Sequence, residues 1–285
     1  MENMKEKISS TKLKLAGLLA SVSLFLAACA TSTEPINAQS TGFWDRYIVY
    51  NMSRLIIWLS EAFGGNYGIG IILITLIIRV LLIPLMQYQM KSQEKMQEVQ
   101  PEIQALQEKY ASKDPETQEQ LRIEMAKLQE EHDYNPWAGC LPMLIQLPIL
   151  MALYQSISRT EILRQEHFLW FQLGQPDPYF ILPIIAACLT WYSMRLNTVA
   201  NPAAGKGQMA MMQWTMPAMI LFMGLGLPSA ISLYWVANTG FTVLQTLLLN
   251  NPYKKREARL AEEAKTRDLE RRLEKARRNP RGKKR

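Results

Sequence analysis

Apolar residues in this chain gather into blocks separated by strongly charged stretches. Beyond the N-terminus four apolar regions stand out, at 68–86, 141–157, 179–194 and 214–248. A bilayer asks about 20 apolar residues of a helix. The last region contains Leu227-Pro228-Ser229, and proline interrupts a helix, so it reads as two helices. The pattern predicts five membrane spans in an all-α integral membrane protein. The second-to-last span, Trp214–Leu227, is short at about 21 Å as a helix, which favours local thinning of the bilayer or a recessed outer end.

Two amphipathic patterns flank the first span. In "FWDRYIVYNMSRLIIWLSEAF" (43–63), Trp44, Tyr47, Ile48, Leu55, Trp58, Leu59 and Ala62 recur at helical spacing. They predict a helix lying in the outer membrane interface, with aromatic rings at headgroup depth; Gly64-Gly65 ends it. In 87–135, Met96, Val99, Ile103, Leu106 and Tyr110 step by 3 or 4, as do Leu121, Met125, Leu128 and His132. With "SKDPE" between them, these stripes predict two helices folded into a hairpin. His132 reads as part of the seam rather than a ligand.

Charge fixes the orientation. The predicted outside segments hold only Arg46, Arg54, Arg159 and Arg164, whereas the predicted inside segments hold 23 Lys/Arg. The positive-inside rule counts basic residues and therefore places the C-terminus in the cytoplasm. Lys5, Lys7, Lys12 and Lys14 precede the apolar stretch 15–28, as in a secretory signal. "LAAC" at 26–29 resembles a bacterial lipobox, which implies that Cys29 carries a diacylglycerol lipid as the mature N-terminus. No other cofactor is expected. The three cysteines do not suggest a disulfide framework.

These readings divide the chain into a signal peptide (1–28), an extracellular tether (29–42) and an interfacial helix (43–65). A first transmembrane helix (66–88), a cytoplasmic hairpin (89–135), spans two to five (136–250) and a basic tail (251–285) follow. The tail segment 250–285 carries 15 Lys/Arg against 6 Asp/Glu, suited to ribosomal RNA phosphates, anionic headgroups or simple topological anchoring.

One residue breaks the apolar pattern. Arg79 lies inside "GIGIILITLIIRVLLIPLM" (68–86), where a charge costs about 2.5–3.5 kcal/mol on insertion scales. None of the five spans contains Asp or Glu. The sequence therefore predicts a wet cavity around Arg79, or a partner from outside the chain. Its candidate polar neighbours are Gln146, Gln155, Thr190, Thr215, Ser232, Asn238, Thr239 and Gln245, with Trp191, Trp214, Tyr234 and Trp235. Methionine is dense at 209–223, which suits either gap-filling in a core or a surface that accepts many apolar sequences.

Arg79 in the first span, the charged hairpin, "NPWAGCLPMLIQLPILMALY" (135–154), "DPYFILPIIAA" (177–187) and "LPSAISLYWVANTGFTVLQ" (227–245) together resemble the YidC/Oxa insertase family over about residues 43–252. The lipobox, five spans and basic tail are similar to its Gram-positive branch. The resemblance implies five transmembrane helices around a hydrophilic groove lined by Arg79, Gln146, Trp191, Trp214, Trp235 and Gln245. It also implies an insertase and chaperone for nascent membrane proteins, acting alone or with the Sec translocon and receiving ribosomes at the hairpin and tail. The expected site is the bacterial cytoplasmic membrane. A small-anion transporter would also use a buried arginine, but no repeated halves are visible. No HExxH motif and no Ser/His/Asp set in the spans suggests an enzyme. An assembly scaffold stays open as an alternative.

Overall fold

The computed structural model describes residues 34–132, 141–200 and 207–278. The predicted signal peptide, Cys29 and the first tether residues lie outside the described residues. The described parts of 1–91, 136–183 and 223–235 form one compact unit, and those of 92–135, 184–222 and 236–285 form another.

The first unit is organised by two helices that meet at a sharp bend. Helix α1 (Trp44–Ala62) and helix α2 (Tyr67–Leu81) are bent 116° from one another. The turn uses Gly64 and Gly65 at φ +83° and +77°, a region glycine enters without steric penalty. Asn66 then accepts from the Ile69 N–H at 3.3 Å and caps α2. The helices cross closely because a side chain at Gly70 would collide with Ser60 and with the Ile56 carbonyl.

The face of α1 packed within the unit is largely distinct from the apolar stripe that the sequence assigns to the membrane interface. Val49, Ser53, Ile56, Leu59 and Ser60 are buried, whereas Tyr47, Leu55 and Trp58 are exposed. Small hydroxyl residues sit inside because their side chains bond along or across the seam. Ser53 and Ser60 donate to the carbonyls of Val49 and Ile56.

Helix α5 (Leu141–Arg159) is stitched onto α1 by polar contacts. Trp44 donates from Nε1 to Gln155 at 2.8 Å. Ser156 donates to the Val49 carbonyl at 3.1 Å, and Thr160 to Ser53 at 3.0 Å. Arg159 closes the seam with a two-pronged pair to Asp45 at 3.0 and 2.8 Å. It also donates to the Glu34 carbonyl at 2.8 Å and accepts the Ile36 N–H at 3.1 Å through its own carbonyl.

A short loop structure completes this unit. Helix α6 (Glu161–Gln165) leads into strands β1 (His167–Phe168) and β2 (Phe171–Gln172), an antiparallel pair. The Phe168 ring occupies the space that a side chain at Gly68 would fill. Helix α7 (Ile181–Ala200) starts after Asp177, whose buried carboxylate accepts from Leu182 N at 2.8 Å, Tyr179 N at 3.1 Å and Trp170 Nε1 at 2.9 Å. Helix α8 (Gly207–Gly226) brings Gly224 against Pro183. Helix α9 (Ser229–Leu249) begins by hydrogen bonding to the Gln175 and Leu173 carbonyls.

In the second unit, helix α3 (Ile83–Lys109) and helix α4 (Pro115–His132) pack through Val99, Ile103 and Leu128, with Met96, Leu106 and Met125 around them. His132 approaches the Glu102 carboxylate at 3.3 Å. Asp114 accepts from the Thr117 N–H at 2.9 Å and from the Ser112 hydroxyl. Helix α10 (Pro252–Arg278) is tied by its first turns. Lys255 pairs with Glu94, and Arg259 donates to the Ala200 carbonyl at 2.7 Å.

No single described helix is long and apolar enough to cross a membrane, while the bent pair α1–α2 meets that measure together. The helices do not respect the apolar blocks. The break at Leu82 separates α2 from α3, with Pro84 in the first turn of α3, which then runs on through the charged segment to Lys109. Polar ends at Gln155 and Arg159 likewise dilute α5.

Three outcomes follow. Gly70→Leu forces α1 and α2 apart and should cost about 1–3 kcal/mol, read as a lower melting temperature in detergent. Arg159→Ala should cost up to about 3 kcal/mol, the lower end for breaking a buried pair, because Asp45 retains 23% exposure. Hydrogen bonds to Ser112 and Thr117 hold the Asp114 carboxyl at about 2 rather than 3.8. The α4 cap is therefore at full strength above about pH 4 and is lost as pH falls through about 2. Amide exchange at Thr117 and Gln118 should accelerate over that interval, and Asp114→Ala should show the fast rate at neutral pH.

Candidate functional site

Arg79 sits near the end of α2 on its buried face, with Ile71, Ile74 and Thr75 preceding it at helical spacing. The residue is 9% exposed. The Tyr234 phenol on α9 is an electrostatic neighbour of the guanidinium. Gln146 on α5 donates its amide N–H to the same phenol oxygen. Tyr234 on α9 thus hydrogen-bonds to α5 and interacts electrostatically with the charge on α2. Arg79 thus has interactions within the chain, and Tyr234 is one of the neighbours the sequence offered for it. A guanidinium and a phenol approach readily because the aryl oxygen is an acceptor.

The other predicted residues are placed variously. Trp235, beside Tyr234, is buried at 9% exposure. In the second unit the Trp191 and Trp214 rings lie 6.0 Å apart at 47°. The buried Trp191 indole N–H and the Gln245 amide nitrogen find no hydrogen-bond partner among the described residues. Trp214 is 67% exposed.

Several candidate neighbours serve elsewhere. Gln155 accepts from Trp44 in the α1–α5 seam. Thr190 and Thr215 donate to the carbonyls of Ala186 and Met211 in their own helices. Met211, Met212, Met219 and Met223 are exposed, which favours an outward-facing surface over core filling.

Sequence reasoning held Tyr234 only as one aromatic among several. The signal that could have raised it was its pairing with Gln146, each the polar member of an apolar helix turn. Chemically, the cluster supplies a fixed positive charge, an amide and a phenol, which bind and orient polar groups. Among the described residues no three His, Cys, Asp or Glu are grouped to hold a metal.

The family described as 60Kd inner membrane protein matches residues 58–257. The chain is 51% identical over 250 residues to "Membrane protein insertase YidC 2" of Listeria innocua, covering 88% of this chain and 87% of that protein. It is 52% identical over 266 residues to "Membrane protein insertase YidC" of Enterococcus faecalis, covering 93% and 94%. Against "Membrane protein insertase MisCA" of Bacillus subtilis it is 46% identical over 243 residues, covering 85% and 93%. Among solved structures it is similar to "Active YidC insertase crystal structure with the first transmembrane domain resolved", at TM-score 0.57 and 29% identity. That match covers 73% of this chain and 47% of the other, so the chain spans about half the length of the solved protein. A match across most of the sequence, at this identity and with the same helical fold, makes the chain a member of the YidC/Oxa family of membrane protein insertases.

Proposed function

We propose that this chain is a bacterial membrane protein insertase whose working element is the positive charge held by Arg79. The observation that carries the reading is a guanidinium buried on an apolar helix and faced by the Tyr234 phenol, which Gln146 orients. The relatives are named insertases over most of this chain's length, which supports the same class of function.

In this reading the five predicted spans cross the cytoplasmic membrane, with α1 in the outer interface, the α3–α4 hairpin in the cytoplasm and a lipid on Cys29 outside. A client's acidic or polar tail is drawn from the cytoplasm toward Arg79. The attraction is screened little by salt at a buried site. Burial of the client's apolar segment in lipid, at about 25 cal/mol per Å², supplies the driving force. The membrane potential favours outward movement of negative charge. The chemistry needs no bond to be made or broken, in keeping with an insertase that is not an enzyme.

Trp191, Trp214, Trp235 and Gln245 enter as groove residues through the family resemblance. The exposed methionines supply an adaptable surface for the departing segment. Nascent membrane proteins are the clients, ribosomes meet the α10 tail, and the Sec translocon and membrane lipids are further partners.

The test is insertion of a small single-span protein with an acidic tail into liposomes containing the purified chain. Arg79→Lys should retain much of the activity, because a positive charge remains. Arg79→Ala should lose about tenfold, the factor produced by about 1.4 kcal/mol of lost attraction. Equal insertion by all three proteins rules out charge attraction, and no insertion by the unmodified chain rules out the function.

A further inference from the structure

Two bulky residues in the first unit adopt backbone angles that normally belong to glycine or asparagine. Leu169 has φ 55° and Phe180 has φ 56°. In water-exposed corners glycine or asparagine satisfies such angles without steric conflict, yet both positions carry large apolar side chains. Neither side chain is packed away, with Leu169 71% exposed and Phe180 44% exposed. Their neighbours Trp170, Tyr179 and Ile181 are also exposed, at 38%, 66% and 39%.

Asp177 holds both corners. Its buried carboxylate accepts from the Trp170 indole beside Leu169 and from the Tyr179 backbone beside Phe180, at 2.9 and 3.1 Å. One carboxylate therefore links the two corners into a single apolar platform. Its level is fixed by two further contacts. Phe168, next to the first corner, packs on Gly68 in the opening turn of α2. Phe180, at the second corner, immediately precedes α7. Both corners thus sit where two apolar helices begin.

We propose that these corners are an outer-leaflet anchor, inserted at the boundary between lipid headgroups and acyl chains, and that they set the depth of Arg79. The anchor rests on the membrane placement given above. Lipid is the occupant because the exposed groups are apolar or aromatic and lie level with the first turns of α2 and α7. Trp and Tyr favour that boundary. Arg79 follows Tyr67 by 12 residues, which is about 18 Å along α2. A fixed outer end therefore fixes the charge's distance from each face of the bilayer.

The test uses the full chain in liposomes of phosphatidylethanolamine and phosphatidylglycerol, with Cys29→Ser, Cys140→Ser and Cys188→Ser. Spin labels go on Leu169→Cys or Phe180→Cys, with Glu161→Cys and Ile77→Cys as references. At both corners, collisions with oxygen should exceed those with a water-soluble nickel chelate several-fold, and the reverse should hold at position 161. Corners that read like position 161 overturn the proposal, as do corners shielded from both reagents, which indicates a protein cover. An aqueous reading at position 77 also overturns it, and shows that the membrane placement itself has failed.

The second arm is the double variant Leu169→Asn with Phe180→Asn, which keeps the backbone angles and removes the apolar groups. Its melting temperature in detergent should hold or rise, while the depth of a label at position 77 should shift. An unchanged depth in that variant overturns the role in positioning Arg79.

Discussion

The close approach of two backbones at Gly70 governs the rest of the first unit. Ser60 and the Ile56 carbonyl of α1 press against α2 where no side chain stands, so α2 has one allowed rotation about its axis. Arg79 lies nine residues further on, which at 3.6 residues per turn is about half a turn around the helix. The contact that seats one edge of α2 on α1 therefore turns the opposite edge toward Tyr234. A bulkier residue at position 70 would disturb the direction of a charge it never touches.

The polar seam between α1 and α5 complements that apolar contact. The Gly70 contact seats α2 on α1, whereas hydrophobic burial between α1 and α5 would discriminate poorly among registers. The Trp44–Gln155 bond, the Ser156 bond to the Val49 carbonyl and the Asp45–Arg159 pair each require one register. Satisfied polar groups in a buried seam are costly to mispair. This unit is thus specified by hydrogen bonds where its apolar contacts are permissive.

The arginine in an apolar block, the stepping of Met96, Val99 and Ile103 against Met125 and Leu128, and the Asp-Pro turn were all legible in the sequence, because each is a local pattern. What escaped is non-local or depends on size rather than polarity. The pairing of Gln146 with Tyr234 spans 88 residues. The inward face of α1 uses Ser53 and Ser60, which hydropathy assigns to the outside but whose small volumes permit close packing. Gln155 looked available for a cavity until Trp44 claimed it. Leu169 and Phe180 gave no sign of their backbone angles, since the usual markers are glycine and asparagine.

The Asp45–Arg159 pair has a consequence for how the protein itself is made. Its two members are separated by 114 residues. Chains are synthesised at about 5–20 residues per second, so roughly 6–23 s pass between them. During that interval α1 has no partner for its polar seam, and the tether cannot be clasped. That seam closes only after α5 has arrived with Arg159. An insertase built this way passes through its own synthesis with one polar seam unfinished.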